Sequence, residues 1–512
     1  MTDTVDKTGS QERELLGHPI GLGVLFMTEM WERFAYYGMR AILILYLTKH
    51  FLFGASEASL IYGGYTGLVY LLPILGGYMA DRYLGSRKAV VYGGLLLSIG
   101  QLLLAVTGAP AEDVNGHIVR DGFYLNLFFL ALALNIVGVG FLKANISTIV
   151  GQLYGPKDAR RDGGFTIFYM GINLGSLFAT MLVGYAGEAW GWNYGFAIAG
   201  IGMLLGLVIF LVGQPLLEGR ADPPSEALKE KVAGFLTKEY LIYFVGLVLV
   251  AVMWKVVQYQ NVVGQSLTFI GLAMLVVIIG YGFMRGGKVG RERLLVACVL
   301  IFVQPFFWAL FEQQGSSLTL LADQQFDLDV FGFHFFASQV QTMNPVFIVV
   351  FAPVFAWFWS ALSRRGWEPS TPAKFALGML IVGLGYVALA FGLGLQDGPN
   401  RSFFWMVVIY LAMTWGELCL SPVGLSMVTK LAMPEIVGLV MGTWFLFTSL
   451  GNWAAGKISS LIGTDGPHSM ADKLDVPATM HMYNSIGLFA IGVGVFLLVI
   501  TPILKKGMHG VH

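Results

Sequence analysis

The chain has 512 residues, 56% of them hydrophobic and only 12% charged, with equal numbers of basic and acidic side chains and a formal net charge of zero. Charged residues make up about a quarter of a soluble globular domain, so this composition, with a mean hydropathy of +0.70, excludes one and points to an all-α polytopic membrane protein. The charge balance, without basic tract or acidic tail, argues against nucleic acid and for lipid and a small solute as partners, and the only cysteines, Cys298 and Cys419, sit in apolar runs and build no disulfide framework.

The polar segment Met1 to Leu16 lacks an apolar core followed by a small-residue cleavage site, so no removable signal peptide is expected and the first span directs insertion. Runs able to cross about 30 Å of hydrocarbon then follow at Pro19 to Thr48, Ser59 to Ala80, Ala89 to Thr107, Tyr124 to Leu153, Gly164 to Gly184 and Asn193 to Val212. Next comes the most polar stretch, Gln214 to Glu239, with Pro215, Pro223, Pro224 and the cluster Lys229-Glu230-Lys231, which reads as a solvated linker with a short amphipathic helix. Two plain runs, Tyr240 to Val257 and Gly264 to Met284, carry no polar stripe and are expected at the periphery. Six more complete the chain: Leu294 to Phe311, Val340 to Leu362, Phe375 to Leu395, Phe404 to Leu431, Val437 to Ile462 and Tyr483 to Leu504. The expectation is about fourteen spans, arranged as a bundle over 1–214, a linker with two additional helices over 215–290, and a second bundle over 291–512.

Lys and Arg concentrate in short cytoplasmic loops, and here they fall after every second span, at Arg82, Arg87 and Lys88, at Lys157, Arg160 and Arg161, and onward to Lys505 and Lys506. The opposite loops are poor in them; Ala322 to His334 has Asp323, Asp327 and Asp329 and no basic residue, so both termini are expected in the cytoplasm. The basic turns Gly77 to Lys88 and Leu362 to Gly366 occupy corresponding places in the two bundles, suggesting a parallel-repeat transporter with its site between the halves. The first of these turns resembles the signature loop of the major facilitator superfamily.

The first run is the anomaly, because Glu29, Glu32, Arg33 and Arg40 stand inside it, and a charge near the centre of a spanning helix costs roughly 2.5–3.5 kcal/mol on insertion scales. With Tyr36 and Tyr37 these groups follow an i, i+3, i+4, i+7, i+8, i+11 spacing and share an arc of about 140°. Its apolar flanks are too long for a helix lying on the membrane surface, so the helix is expected to span and to line a polar cavity. Three further ionisable groups are intramembrane: Lys143, Glu312 at the end of its span, and Glu417. They come from both halves, so pairs could form and break as the halves rock; the alternative is structural ion pairs that lock helices together. Four negative groups (Glu29, Glu32, Glu312, Glu417) against three positive (Arg33, Arg40, Lys143) leave one excess negative charge, which one proton would neutralise. Tyr62, Tyr65, Tyr70, Asn145, Asn173, Gln304, Trp308 and Asn344 could add polar groups to the cavity, and Pro305, Pro345, Pro353 and Pro422 mark bends. No phosphate loop, paired-His metal motif or Ser-His-Asp order occurs, so no cofactor, no metal and no catalytic machinery are expected.

At Glu29-x-x-Glu32-Arg33-Phe34-x-Tyr36-Tyr37-Gly38 the sequence resembles the proton-dependent oligopeptide transporter family. The likeness continues through Gly76 to Arg82, Phe141 to Ile146, Phe165 to Asn173, Phe307 to Gly315 and Gly416 to Gly424, in family order across nearly the whole chain. It implies a major facilitator fold that imports di- and tripeptides with protons. The two plain helices resemble the extra pair of bacterial members, which implies a bacterial inner (plasma) membrane. By the resemblance, Arg33 and Lys143, with Tyr37 and Tyr70, would take a peptide carboxylate; Glu417, with Asn173 and Asn344, its ammonium. Tyr36, Trp308 and Trp444 would shape side-chain pockets, and Glu29, Glu32, Arg33, Arg40 and Glu312 would couple the proton, with Arg40 and Glu312 paired between the bundles. Tyr62 and Tyr65 stand where animal members have a histidine. A transporter of another solute on the same fold, for nitrate, a peptide-like drug or a conjugate, is the alternative.

Overall fold

The computed structural model describes residues 14–155, 158, 160–222, 228, 230–231, 237–330, 332–396, 398–462 and 474–511, without the side chains at 422, 423 and 425. Lys157, Lys229, the bend expected at Pro422 and most of the expected linker helix fall outside them. The long helices are α1 (Gly21–Lys49), α2 (Ala55–Met79), α3 (Ser86–Leu104), α4 (Gly122–Gln152), α5 (Arg161–Ala189), α6 (Trp192–Gly213), α7 (Lys238–Val256), α8 (Gln260–Arg285) and α9 (Gly287–Phe311). After the short α10 (Ser317–Gln325) come α11 (Met343–Arg364), α12 (Thr371–Gly394), α13 (Phe404–Leu431), α14 (Val437–Ser459) and α15 (Val476–Gly507). Thirteen spans among the described residues are long and apolar enough to cross a membrane. The remaining long helix is α1, whose 29 residues reach about 44 Å and whose apolar character is broken by the charges noted above. Side chains close several helix starts: Asp121 accepts the Phe123 and Tyr124 N–H groups at α4, and Asp475 accepts that of Ala478 at α15.

The boundary that departs furthest from expectation is at Glu312. The run holding Glu312 does not end there: α9 tightens into a 3-10 turn over Glu312–Gly315 and resumes as α10 to Gln325. Glu312 therefore stands at a break inside a span, and Asp323, expected in a loop, is helical. Local hydropathy drops across Glu312-Gln313-Gln314-Gly315-Ser316-Ser317, so the sequence signal stopped where the helix only changes pitch. Pro73 in α2 and Pro502 in α15 are further intrahelical prolines the sequence reading passed over.

Packing repeats across the chain. In the first half α1 lies on α5 and α6, α3 on α4 and α6, and α2 on α4; in the second α9 lies on α14, α12 on α13 and α15, and α11 on α13. Glycines set the close approaches in both: a Cβ on Gly93 of α3 would stand 2.6 Å from the Gly138 carbonyl of α4, and one on Gly378 of α12 would stand 3.0 Å from that of Gly416 of α13. α7 packs beside α4, and α8 against α9 and α14, with broad apolar faces turned outward (Phe244, Leu247, Phe269, Val276).

The halves touch chiefly at one end, where α1 and α5 finish and α2 begins. There α2 meets α14, with Ser59 and Ser459 hydroxyls 2.9 Å apart and the Ser449 hydroxyl donating to the Gly67 carbonyl at 2.5 Å. α5 meets the turn Ala337–Thr342 ahead of α11 through Thr180 and Thr342 (2.7 Å) and through Glu188, which accepts from the backbone N–H and hydroxyl of Ser338 at 3.0 and 2.6 Å. Lys49 and Asp323 add a half-exposed ion pair at 2.5 Å. Towards the other end Thr166 and Tyr169 of α5 and Ser426 of α13 are exposed. The interior is thus sealed at one end and open at the other.

Candidate functional site

The space sealed in this way is a cavity of about 370 Å³ between the halves, within the size range of small-molecule sites. α1 contributes Glu29, Arg33, Tyr37 and Arg40, at spacings of four, four and three that keep them on one face. Glu32 and Tyr36, expected in the same stripe, do not line the cavity. The 140° arc is wider than the cavity is, and its far edge turns towards Tyr62 and Tyr65 of α2, where all four side chains are buried.

Arg33 joins the two layers. Its Nε lies 3.1 Å from Glu29 Oε1, and Glu32 Oε2 closes on the same nitrogen from behind, so one guanidinium serves two carboxylates. All three side chains are almost wholly buried. Beside them Lys143 of α4 sets its ammonium 3.9 Å over the Tyr70 ring of α2, a cation–π contact that leaves the ammonium's hydrogen-bonding capacity for a solute. Arg40 Nη2 lies 2.9 Å from Glu312 Oε2 at the sealed end, with the Arg40 guanidinium carbon 5.6 Å above the Tyr37 ring. This pair bridges the halves, as expected.

Across the cavity the second half presents Glu417. Its Oε2 accepts from Asn344 Nδ2 at 3.2 Å, and that amide also donates to Thr414 Oγ1 at 3.1 Å, which fixes its orientation. Trp308, Phe311 and Trp444 form the apolar part of this wall. Asn173 lies in the lining on α5, opposite Asn344, with its amide donating to the Tyr169 carbonyl. Tyr62, Tyr65, Asn145 and Gln304, expected on cavity faces, stand outside it: the Asn145 amide turns back to the Phe141 carbonyl of its own helix, and Gln304 lies behind Trp308. Among the described residues no cluster of His, Cys, Asp and Glu is placed to hold a metal.

Several lining residues went unread in the sequence: Ser147, Tyr169, Ser176, Thr180, Gln314, Gln341 and Ser421. Helical spacing would have found most of them, since Ser147 follows Lys143 by four, Ser421 follows Glu417 by four, and Tyr169, Ser176 and Thr180 share the face of Asn173. Gln341 was beyond that signal because it lies in a 3-10 turn. Its amide donates to the Ala41 carbonyl at 3.3 Å and to Thr319 Oγ1 at 3.0 Å, next to the Arg40–Glu312 pair. The site therefore sets a guanidinium and an ammonium on one wall and a carboxylate on the other, which suits a short dipolar solute.

Comparison with known proteins gives the same picture. Residues 87–473 match the POT family profile. A transporter of Bacillus subtilis (strain 168), YclF, is 37% identical over 98% of this chain and 97% of its own length. The peptide transporter YePEPT of Yersinia enterocolitica is 37% identical over 96% of each chain, and a di-/tripeptide transporter of Lactococcus lactis subsp. lactis is 35% identical over 96% of this chain and 97% of its own. Among solved structures, a peptide transporter POT variant in complex with alafosfalin is 36% identical and superposes with a TM-score of 0.82 over 98% of both chains. A POT family transporter in complex with 5-aminolevulinic acid, 29% identical, gives a TM-score of 0.80 over 96% of this chain and 98% of its own. The chain, with its multi-span architecture and its cavity between two similarly packed halves, belongs to the POT family of membrane transporters and has the major facilitator fold.

Proposed function

We propose that this protein is a proton-coupled symporter that imports di- and tripeptides by alternating access, and that it is a carrier, not an enzyme. The observation that carries the reading is the division of charge across the cavity: Arg33 and Lys143 on one wall, Glu417 held by Asn344 on the other. A zwitterionic peptide satisfies both walls at once, its carboxylate on the cations and its ammonium on Glu417 and Asn173, with Trp308 and Trp444 against its side chains. The names of the relatives support the same solute class. An anion such as nitrate would leave Glu417 facing like charge, which disfavours that alternative.

Proton coupling follows from competition for Arg33. When a peptide carboxylate takes the guanidinium, Glu29 and Glu32 lose their shared counter-charge, and an incoming proton restores the balance. Movement would be a rocking of 1–214 against 291–512, with 215–290 supplying the additional helices against lipid. The basic loops after every second span support cytoplasmic termini in a bacterial inner membrane, so the open end of the cavity would face the cytoplasm.

The test is uptake of a labelled dipeptide into proteoliposomes with and without an inside-alkaline pH gradient. Accumulation only with the gradient is expected. Absence of uptake overturns the peptide reading, and gradient-independent uptake overturns the coupling.

A further inference from the structure

Behind the aromatic wall lies a residue that touches no solute and yet connects both tryptophans. Gln304, fully buried on α9 one turn before Trp308, accepts the Trp308 indole N–H on Oε1 at 2.7 Å. Its Nε2 donates to the Trp444 backbone carbonyl of α14 at 2.6 Å and contacts Thr448 Oγ1 at 3.1 Å. The Thr448 hydroxyl lies within bonding distance of Gln304 Oε1 (3.2 Å) and of the Trp444 carbonyl (3.1 Å), which closes a ring of polar contacts between the two helices. α14 can come this close because Gly451 faces Trp308: a Cβ there would stand 2.9 Å from the Trp308 Cβ.

An indole has two torsions, and packing alone leaves a wall tryptophan free to swing when a larger side chain enters. A buried hydrogen bond to a side chain that is itself bonded on every available atom removes that freedom. We propose that Gln304 is a specificity-determining positioning residue: it locks the Trp308 indole relative to Trp444 and so fixes which peptide side chains the cavity accepts. The inference rests on the peptide reading of the cavity. Gln304 acts through Trp308, so its effect should fall on discrimination between side chains rather than evenly on all peptides.

The test measures inhibition of labelled dialanine uptake by alanyl-glycine, alanyl-leucine, alanyl-phenylalanine and alanyl-tryptophan, for wild type, Gln304→Met, Trp308→Phe and the double variant. Loss of one buried hydrogen bond should compress the ratio between the best and worst inhibitor by about fivefold in Gln304→Met. In the Trp308→Phe background, where no indole N–H remains, the second substitution should add little. Gln304→Asn, which stays polar but withdraws the amide by one methylene, carries the same expectation should Gln304→Met not fold. A uniform shift across all four inhibitors, or an undiminished effect without the indole, overturns the positioning role. A wild type inhibited by none of the peptides overturns the peptide reading instead.

Discussion

At the scale of single residues, the site is organised by what each buried charge is given as a partner. Among the described residues Glu417 is bonded only by the neutral Asn344 amide, so its negative charge is uncompensated until a cationic group enters the cavity. Glu417→Gln should therefore weaken dipeptide binding roughly ten- to hundredfold, the difference between a charge-assisted and a neutral hydrogen bond. N-acetylated peptides, which lack the ammonium, should compete poorly with wild type. Competitive inhibition of labelled dipeptide uptake checks both, and an N-acetyl peptide as potent as its free form would remove Glu417 from the ammonium site. The Glu29–Arg33–Glu32 triple makes a different prediction, because two carboxylates depend on one guanidinium. Glu32→Gln leaves Arg33 to Glu29 alone, so peptide counterflow should persist while accumulation driven by a pH gradient disappears. Both are measured in one liposome preparation; if Glu32→Gln and Glu29→Gln each concentrate peptide as wild type does, the proton travels elsewhere and Glu312 is the next group to test.

At the scale of elements, similar glycine contacts serve two purposes, and substitution should separate them. A Cβ on Gly76 of α2 would lie 2.0 Å from the Gly140 carbonyl of α4, within one half. One on Gly456 of α14 would lie 2.5 Å from the Ser59 carbonyl of α2, between halves and near the sealed end. Gly76→Leu should prevent the first half from assembling, with little monodisperse protein recovered. Gly456→Leu should leave both halves folded but disfavour sealing by the 1–3 kcal/mol typical of overpacking, enough to shift the balance of open and closed forms about tenfold. Reactivity of a cysteine at Ser59 towards an impermeant reagent added outside should then rise. Identical fluorescence size-exclusion profiles for the two variants would show that the contacts are equivalent after all. The α9–α10 break belongs to this scale too: the 3-10 turn brings Glu312 to Arg40 while α10 carries Asp323 onward to Lys49, so one interrupted element supplies two contacts between the halves.

For the whole molecule, the arrangement of sealed and open ends, combined with the loop charges, gives a direct test of orientation. Thr166 is exposed on the cavity face of α5, two turns before Asn173 towards the open end. The native thiols Cys298 and Cys419 are buried and can be removed as alanines. A cysteine at Thr166 should react with an impermeant maleimide in inside-out vesicles and far more slowly in right-side-out cells. The reverse pattern would invert the proposed topology.

Much of this protein could be read from the chain alone. Spacing of apolar runs located every span, though not always its ends, because hydrocarbon thickness sets a minimum length that composition must meet. The charges inside α1 announced a polar interior, because unpartnered charge in lipid is too costly to keep without a role. Arg33, Lys143, Glu417 and the Arg40–Glu312 pair were legible for that reason. Pitch changes and fine facing were not: a one-dimensional pattern assigned Glu312 to a helix end, put Glu32 and Tyr36 on the cavity, and placed Gln304 in its wall. Those positions depend on which helices meet within each half, α1 with α2 and α9 with α14, and on approaches between the halves set by glycines hundreds of residues apart such as Gly63 and Gly456. The sealed and open ends depend on the same contacts. Solvation of each segment is a local property and is written in the sequence; which faces meet, and at which end, is a matter of packing between segments, and only the tertiary structure decides it.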